Sequence, residues 1–374
     1  MSHPKTQTAR AAGTLAAAAV LAAGLAASSA SPVLAGPRHA AAPTAGFQAL
    51  GEMPGAVSTD VDGISGDGST IAGYGTLCFS GPGGTCTSSN TVQAFRWTPA
   101  GGYQLLGSPG RSDFYGAGAV SYDGSVIVGE HPLPNQFAAF RWTAATGMTQ
   151  LPMNIAAAVT PDGAMVAGGD NWQKTSGQAG TFGAFPGFAD QTQAQGLAGT
   201  AQAPVAVGAA IKGSDAFGAT FHAFRWTPAA GLQDLGVLPG GDQSIAIAIS
   251  ADEKVVVGEA QVSGLWHAFR WTAATGMADL GTLGGAESAA FAASGDGSVI
   301  VGASLTSGST GSSVAFRWTA KTGMQDLQTL VKPPRELIVQ SATGVSQDGT
   351  VITGNGFNTK AGVDEPWRAV LPLP

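Results

Sequence analysis

Six arginines recur in register along the chain, and they are the first residues to test for chemistry. Arg96, Arg141, Arg225, Arg270 and Arg317 each sit inside the phrase Ala-Phe-Arg-Trp-Thr, and Arg368 follows Trp367 in an altered closing version. A guanidinium presents its donors in a planar fork, so a recurring one suits either an anion-binding ring or a tie between neighbouring repeats. An anion ring needs its arginines turned into one centre, whereas residues that repeat with a unit usually serve the unit. The tie is the reading adopted, with Asp234, Asp279 and Asp326 as candidate carboxylate partners. The neighbouring Trp97, Trp142, Trp226, Trp271 and Trp318 are read as core between repeats rather than as sugar platforms. Trp172 and Trp266 fall outside that column, and Trp172 is the first aromatic candidate for a ligand contact.

The usual catalytic signatures are missing. No G-x-S-x-G elbow, H-E-x-x-H, paired C-x-x-C or Walker loop occurs, so no catalytic residue, cofactor or metal is assigned. Of five histidines, His222 and His267 occupy equivalent repeat positions, which points to a structural role at a strand end. Asp113, Asp242 and Glu287 lie on connections between repeats, next to loops of varying length, where binding specificity tends to be carried. They are the candidate ligand-binding carboxylates, although no D-x-D-x-D cluster marks a cation loop. Cys78 and Cys86, the only two cysteines, bracket a Gly/Pro loop and are expected to form a disulfide. Closing so short a loop stabilises by about 2–3 kcal/mol. A two-cysteine metal site is the rival, but no histidine lies nearby.

The elements that must position these residues follow from the repeat itself. Phe95, Phe140, Phe224, Phe269 and Phe316 are spaced by 45, 84, 45 and 47 residues, so a worn copy is expected in the double gap. Thr181 to Phe188 is taken to fill it, with a degenerate outer segment from Gly187. Each period holds four short segments: one ending in Ser-x-Asp-Gly, a run such as Val-Ile-Val-Gly, the Ala-Phe-Arg-Trp-Thr segment, and a segment such as Gly-Met-Gln-Asp-Leu. Phe and Trp two apart share one strand face, the β-branched runs suit buried strands, and Asp-Gly is a hairpin signal. Asp252 is followed by Glu253 instead of glycine, so that hairpin is expected to be looser.

Four strands per period of about 45 residues predict an all-β, seven-bladed β-propeller over residues 46–374. The strands are labelled A to D in chain order, A innermost. The chain opens on a lone D segment at Gly46 and closes on a C segment, so the N-terminal strand should pair with three C-terminal strands and close the ring.

Composition sets the compartment and narrows the partners. Charged residues make up 11% of the chain, and 56 of its 374 residues are Gly, which suits many strands and tight turns. Residues 1–35 read as a signal peptide, with Lys5 and Arg10 before an Ala-rich apolar stretch and cleavage after Ala35 or Ala30; residues 36–45 are a short linker. Removing Lys5 and Arg10 takes the net charge from −7 to −9. Nucleic acid is therefore excluded as a partner, since no Lys/Arg cluster exists to meet phosphates. No transmembrane segment is expected in the mature chain. An exported protein, periplasmic or extracellular and acting as a monomer, is the expectation.

The phrase His-Ala-Phe-Arg-Trp-Thr at 222–227 and 267–272, its trailing Gly-Met-x-Asp-Leu-Gly and the Ser-x-Asp-Gly hairpins resemble the HAF-repeat family of bacterial exported proteins. The resemblance spans Gly46 to the chain end and implies location and architecture rather than an activity. Gln93, Ala138 and Val314 replace the histidine in other copies, which argues against a metal ring there. The functional expectation is a binding or scaffold protein that meets a protein or glycan through the face carrying the variable loops. The alternative is an exported propeller-type saccharide hydrolase or lyase, with carboxylates gathered at the central funnel. A quinone-cofactor propeller is a weaker third reading, suggested only by Trp-Thr-Ala-Ala-Thr-Gly.

Overall fold

Six of the seven inner hairpins are closed by the same small set of polar atoms. In the first, the Ser65 hydroxyl donates to Asp67 (2.6 Å) and accepts the Thr70 amide (2.9 Å), while Asp67 accepts the Ser69 amide. Gly68 then turns back with φ of 72° and donates to the Ser65 carbonyl. The loop has four residues, longer than the two-residue primed turn that Asp-Gly signals. The set repeats at Ser121, Thr160, Ser250, Ser294 and Ser346. At Ser250 the expected loosening does not occur. Glu253 adopts the left-handed φ of 64° itself, its amide reaches the Ser250 carbonyl at 2.9 Å, and the other bonds are kept. The turn requires a φ, and one non-glycine residue supplies it at a strain cost.

These hairpins organise a ring, seen in a computed structural model describing residues 46–77, 91–107, 116–133, 136–186, 191–215, 218–308 and 311–373. Seven sheets of four antiparallel strands follow one another. Blade 1 runs A (Ala56–Ile64), B (Ile71–Leu77), C (Thr91–Thr98) and D (Gly102–Leu105), and blades 2 to 6 repeat the order. Blade 7 takes A (Leu337–Val345), B (Val351–Asn358) and C (Val363–Val370) from the C-terminal end and D (Gly46–Ala49) from the N-terminal end. Gly46 faces Val370 and Ala49 faces Trp367, with Phe47 stacked 6.0 Å from the Trp367 ring. The chain is a seven-bladed propeller closed by its own first strand. A short helix, Leu327–Val331, leads into blade 7. Among the described residues no helix is long and apolar enough to cross a membrane. The leader, the linker, Cys78, Cys86 and Asp113 lie outside the described residues.

Two sequence columns explain the blade interior. The glycine that ends each B-strand run packs against the A-strand backbone: a Cβ on Gly129 would lie 1.9 Å from the Gly116 carbonyl, and one on Gly258 2.0 Å from that of Ile245. Opposite it across the sheet stands the C-strand aromatic, Phe95, Phe140, Phe224, Phe269, Phe316 or Trp367, each fully buried. On strand A the register slips by one residue in every blade but the third, leaving Asp62, Gly118, Gln195, Ile247, Phe291 and Thr343 unpaired on the innermost strands.

Blade 3 corrects the sequence reading. Its C strand is Asn171–Lys174 and its D strand Ala179–Thr181, so Thr181 to Phe188 is not the worn C strand. Phe182 and Phe185 instead leave the sheet edge and are buried between blades, Phe182 edge-on to Trp226 at 5.1 Å. Part of the segment read as the following D strand, residues 187–190, lies outside the described residues.

Candidate functional site

Strand order puts the D–A crossings and B–C loops on one face and the A–B and C–D turns on the other. On the loop face, the position just past the B-strand glycine reaches the next blade. Asn355 shows this in blade 7: its amide oxygen accepts the Val61 amide at 2.8 Å and its nitrogen donates to the Val61 carbonyl at 3.0 Å. The same position holds Tyr74 in blade 1, Glu130 in blade 2 and Glu259 in blade 5. Two carboxyls are thus carried on rigid central strands rather than on loops.

Glu130 belongs to an acidic group at the mouth of the ring. Asp62, the unpaired bulge residue of blade 1, is only 7% exposed. Burial raises its carboxyl well above the usual range, and the charges of Asp60 and Glu130 push the same way. Asp60 is pushed up to about 6 by burial and by Asp364, and Glu130 to about 7 by burial. The Tyr74 phenol is raised by burial and by Asp62, Asp60 and Asp364. Among the described residues no lysine or arginine contributes to the charge state of any of these groups.

A second pair lies between blades 5 and 6. Glu259 is 2% exposed and pushed up to about 8 by burial and by Glu287. Glu287, 4% exposed at the start of strand A (Gly284–Ala293), is raised by burial against the opposing effects of the Trp266 backbone and His267. His267 in turn lies 2.9 Å from Asp279. At neutral pH Glu259 is mainly the acid form, Glu130 is divided and Asp60 is mainly charged. The face therefore offers both proton-donating carboxyls and uncompensated negative charge. Among the described residues no group of three His, Cys, Asp or Glu is placed to hold a metal ion.

Of the ligand candidates among the described residues, the structure brings only Glu287 into an acidic pair. Asp242 is exposed on the crossing into blade 5. Trp172 stands opposite Ala167 in strand C of blade 3, where other blades carry the arginine, and packs between blades 6.3 Å from Trp226, with the Lys174 ammonium 5.5 Å from its ring. Asp60, Asp62, Glu130, Glu259 and Asp364 were missed. Glu130 and Glu259 each directly follow a buried Val-x-Val-Gly run, and Asp60 and Asp62 interrupt an inner strand that is Ala/Ile-rich elsewhere, so an available signal existed.

Arg96, Arg141 and Arg317 reach the adjacent blade, but not through the expected aspartates. Arg141 donates to the Gly163 carbonyl of the next hairpin (3.3 Å), Arg317 to the Pro372 carbonyl (3.1 Å) and Gln325 (3.2 Å), and Arg96 lies 5.6 Å over the Trp142 ring. Asp234 is taken by His222 at 2.9 Å and Lys212 at 3.2 Å; burial opposes its charge, yet the His222, Gly236 and Lys212 contacts hold the carboxyl down to about 2. Asp326 caps the short helix through the Gln328 amide. In blades 4 and 5 a histidine takes the D-strand carboxylate instead.

Two concave troughs lie elsewhere. A trough of about 610 Å³ between blades 4, 5 and 6 on the turn side is lined by Arg225, Asp252, Arg270 and Trp271, and one of about 440 Å³ shares Arg270 and Asp296 with it. These troughs are set by blade splay. Their carboxylates, Asp252 and Asp296, are held low by serine and backbone hydrogen bonds that outweigh burial, so their chemistry is already spent on the hairpins.

No protein-family model and no curated protein sequence matches the chain. Solved structures similar to the chain at low identity include the following three. A putative TolB from Agrobacterium tumefaciens matches at 10% identity and TM-score 0.40, over 84% of this chain and 90% of its own. TolB from Acinetobacter baumannii matches at 12% and 0.43, over 79% of each. An oligogalacturonate lyase in complex with manganese matches at 12% and 0.48, over 83% of this chain and 88% of its own. At such identities nothing of their binding or chemistry is transferred.

Proposed function

We propose that the protein is an exported HAF-repeat propeller that binds a protein or glycan through its loop face. One observation carries the reading: five buried or half-buried carboxyls not consumed by the repeating frame, Asp60, Asp62, Glu130, Glu259 and Glu287, gather on that face, while the half-buried Glu253 of the turn face meets the charge of Arg225. The turn-face aspartates are, by contrast, tied up in the hairpins. Export rests on the leader read in residues 1–35. A thermal-shift screen against a glycan panel and purified envelope proteins tests this, since a ligand that binds the folded state raises the melting temperature. The expected result is a shift reduced by Glu130→Gln or Asp242→Asn and kept in Asp123→Asn on the turn face. A ligand lost only through turn-face substitutions would overturn the assignment.

A saccharide hydrolase or lyase is the second reading, favoured by the raised carboxyls of Asp62 and Glu130, since glycoside chemistry needs an acid that stays protonated near neutrality. It predicts release of reducing ends or unsaturated products from a polysaccharide panel, abolished in Asp62→Asn. Turnover that survives both Asp62→Asn and Glu130→Gln would exclude these residues as its acids.

A further inference from the structure

We propose that the acidic mouth binds an organic cation carrying a primary ammonium on an alkyl stem, bonded by Asp62 with the charges of Asp60 and Glu130 beside it; this deepens the loop-face reading and rests on it. The mouth is rich in acceptors. Asp62 leaves Oδ2 buried with no hydrogen-bond partner, and Gln195, at the same bulge position across the ring in blade 4 and 6% exposed, leaves Oε1 in the same state. Two donors beside Asp62, the Thr343 hydroxyl and the Asn355 amide, are both used by the Val61 carbonyl at 3.0 Å. Buried acceptors without donors are costly, and an ammonium brings three N–H groups together with a positive charge that none of the described lysines and arginines supplies to these acids.

The rest of the ring selects for the stem. Two further bulge residues, Ile247 and Phe291 of blades 5 and 6, pack together with Ala289 and Ala303 across the ring from the acids. Acids on one side and an apolar wall on the other match a charged head followed by methylenes, as in a lysine side chain or an alkyl diamine. A divalent metal is the poorer match, because the described residues supply no three-ligand group.

Calorimetric titration of the purified protein tests this with cadaverine, Nα-acetyl-lysine amide, its Nε-acetylated counterpart and calcium chloride. The first two are expected to bind saturably and the Nε-acetylated compound not to bind. Asp62→Asn and Glu130→Gln, in different blades so that a folding defect in one leaves the other informative, are each expected to weaken binding about tenfold or more. Tighter binding of cadaverine identifies a free polyamine, and tighter binding of the lysine amide a lysine presented by a protein. Absence of saturable amine binding, binding of calcium alone, or amine binding unchanged in both variants overturns the proposal. If a glycan or protein still binds the loop face while no amine does, the inference falls and the broader reading stands.

Discussion

Asp60, Glu130 and Glu259 hold protons that the unfolded chain would release. Their carboxyls titrate near 6, 7 and 8 in the folded protein and near 4 when unfolded, so between those limits the native state binds more protons. Their contribution is fully favourable below about pH 4, is lost progressively as pH rises to about 8, and is constant beyond. Asp234 behaves oppositely: held down to about 2, it stabilises above about pH 4 and its contribution fades only as pH falls toward 2. Melting temperature is therefore expected to fall from pH 5 to 8.5, and Glu259→Gln to flatten the upper part of that fall. A profile flat in the wild type would show that these carboxyls are hydrated. Glu253 gives a second test. Glu253→Gly removes left-handed strain at φ 64° and should stabilise by about 1 kcal/mol in denaturant titrations. No gain would mean that the charge contact with Arg225 offsets the strain.

At the scale of the strand, the B-strand glycine is a steric requirement. Gly258→Ala would drive a Cβ into the Ile245 carbonyl at 2.0 Å, whereas Gly276, with φ of 68° in a C–D turn, has open space around it. The first change should cost at least about 2–3 kcal/mol because the inner strand must move; the second should cost about 1 kcal/mol from strain alone. Equal losses in thermal melts would refute the close-approach account. Such columns were legible in the sequence because sterics impose the same residue in every blade. The acidic mouth was not, because Asp62, Glu130 and Asp364 come from three blades and acquire meaning only when the ring closes. Blade 3 misled for a related reason: aromatic letters at Phe182 and Phe185 imitate the C strand, but the strand is defined by pairing opposite Met165–Gly168, where Asn171–Lys174 carry none of the phrase.

For the whole molecule, closure by Gly46–Ala49 was foreseeable because each chain end held part of one blade. Deleting residues 46–49 would strip the outer partner from Val363–Val370 and remove the Phe47–Trp367 stack. A fall in melting temperature and a tendency to associate through the bared edge are expected, read by calorimetry and light scattering. An unchanged melt would show that the ring stands without its clasp. The clasp also sets orientation. Gly46 and Val370 are paired neighbours on the turn side of blade 7, so anything joined to either end hangs from the face opposite the acidic mouth. Immobilising the protein by a tag at one terminus, or at both, would turn every ring the same way, with its carboxyls pointing into solution.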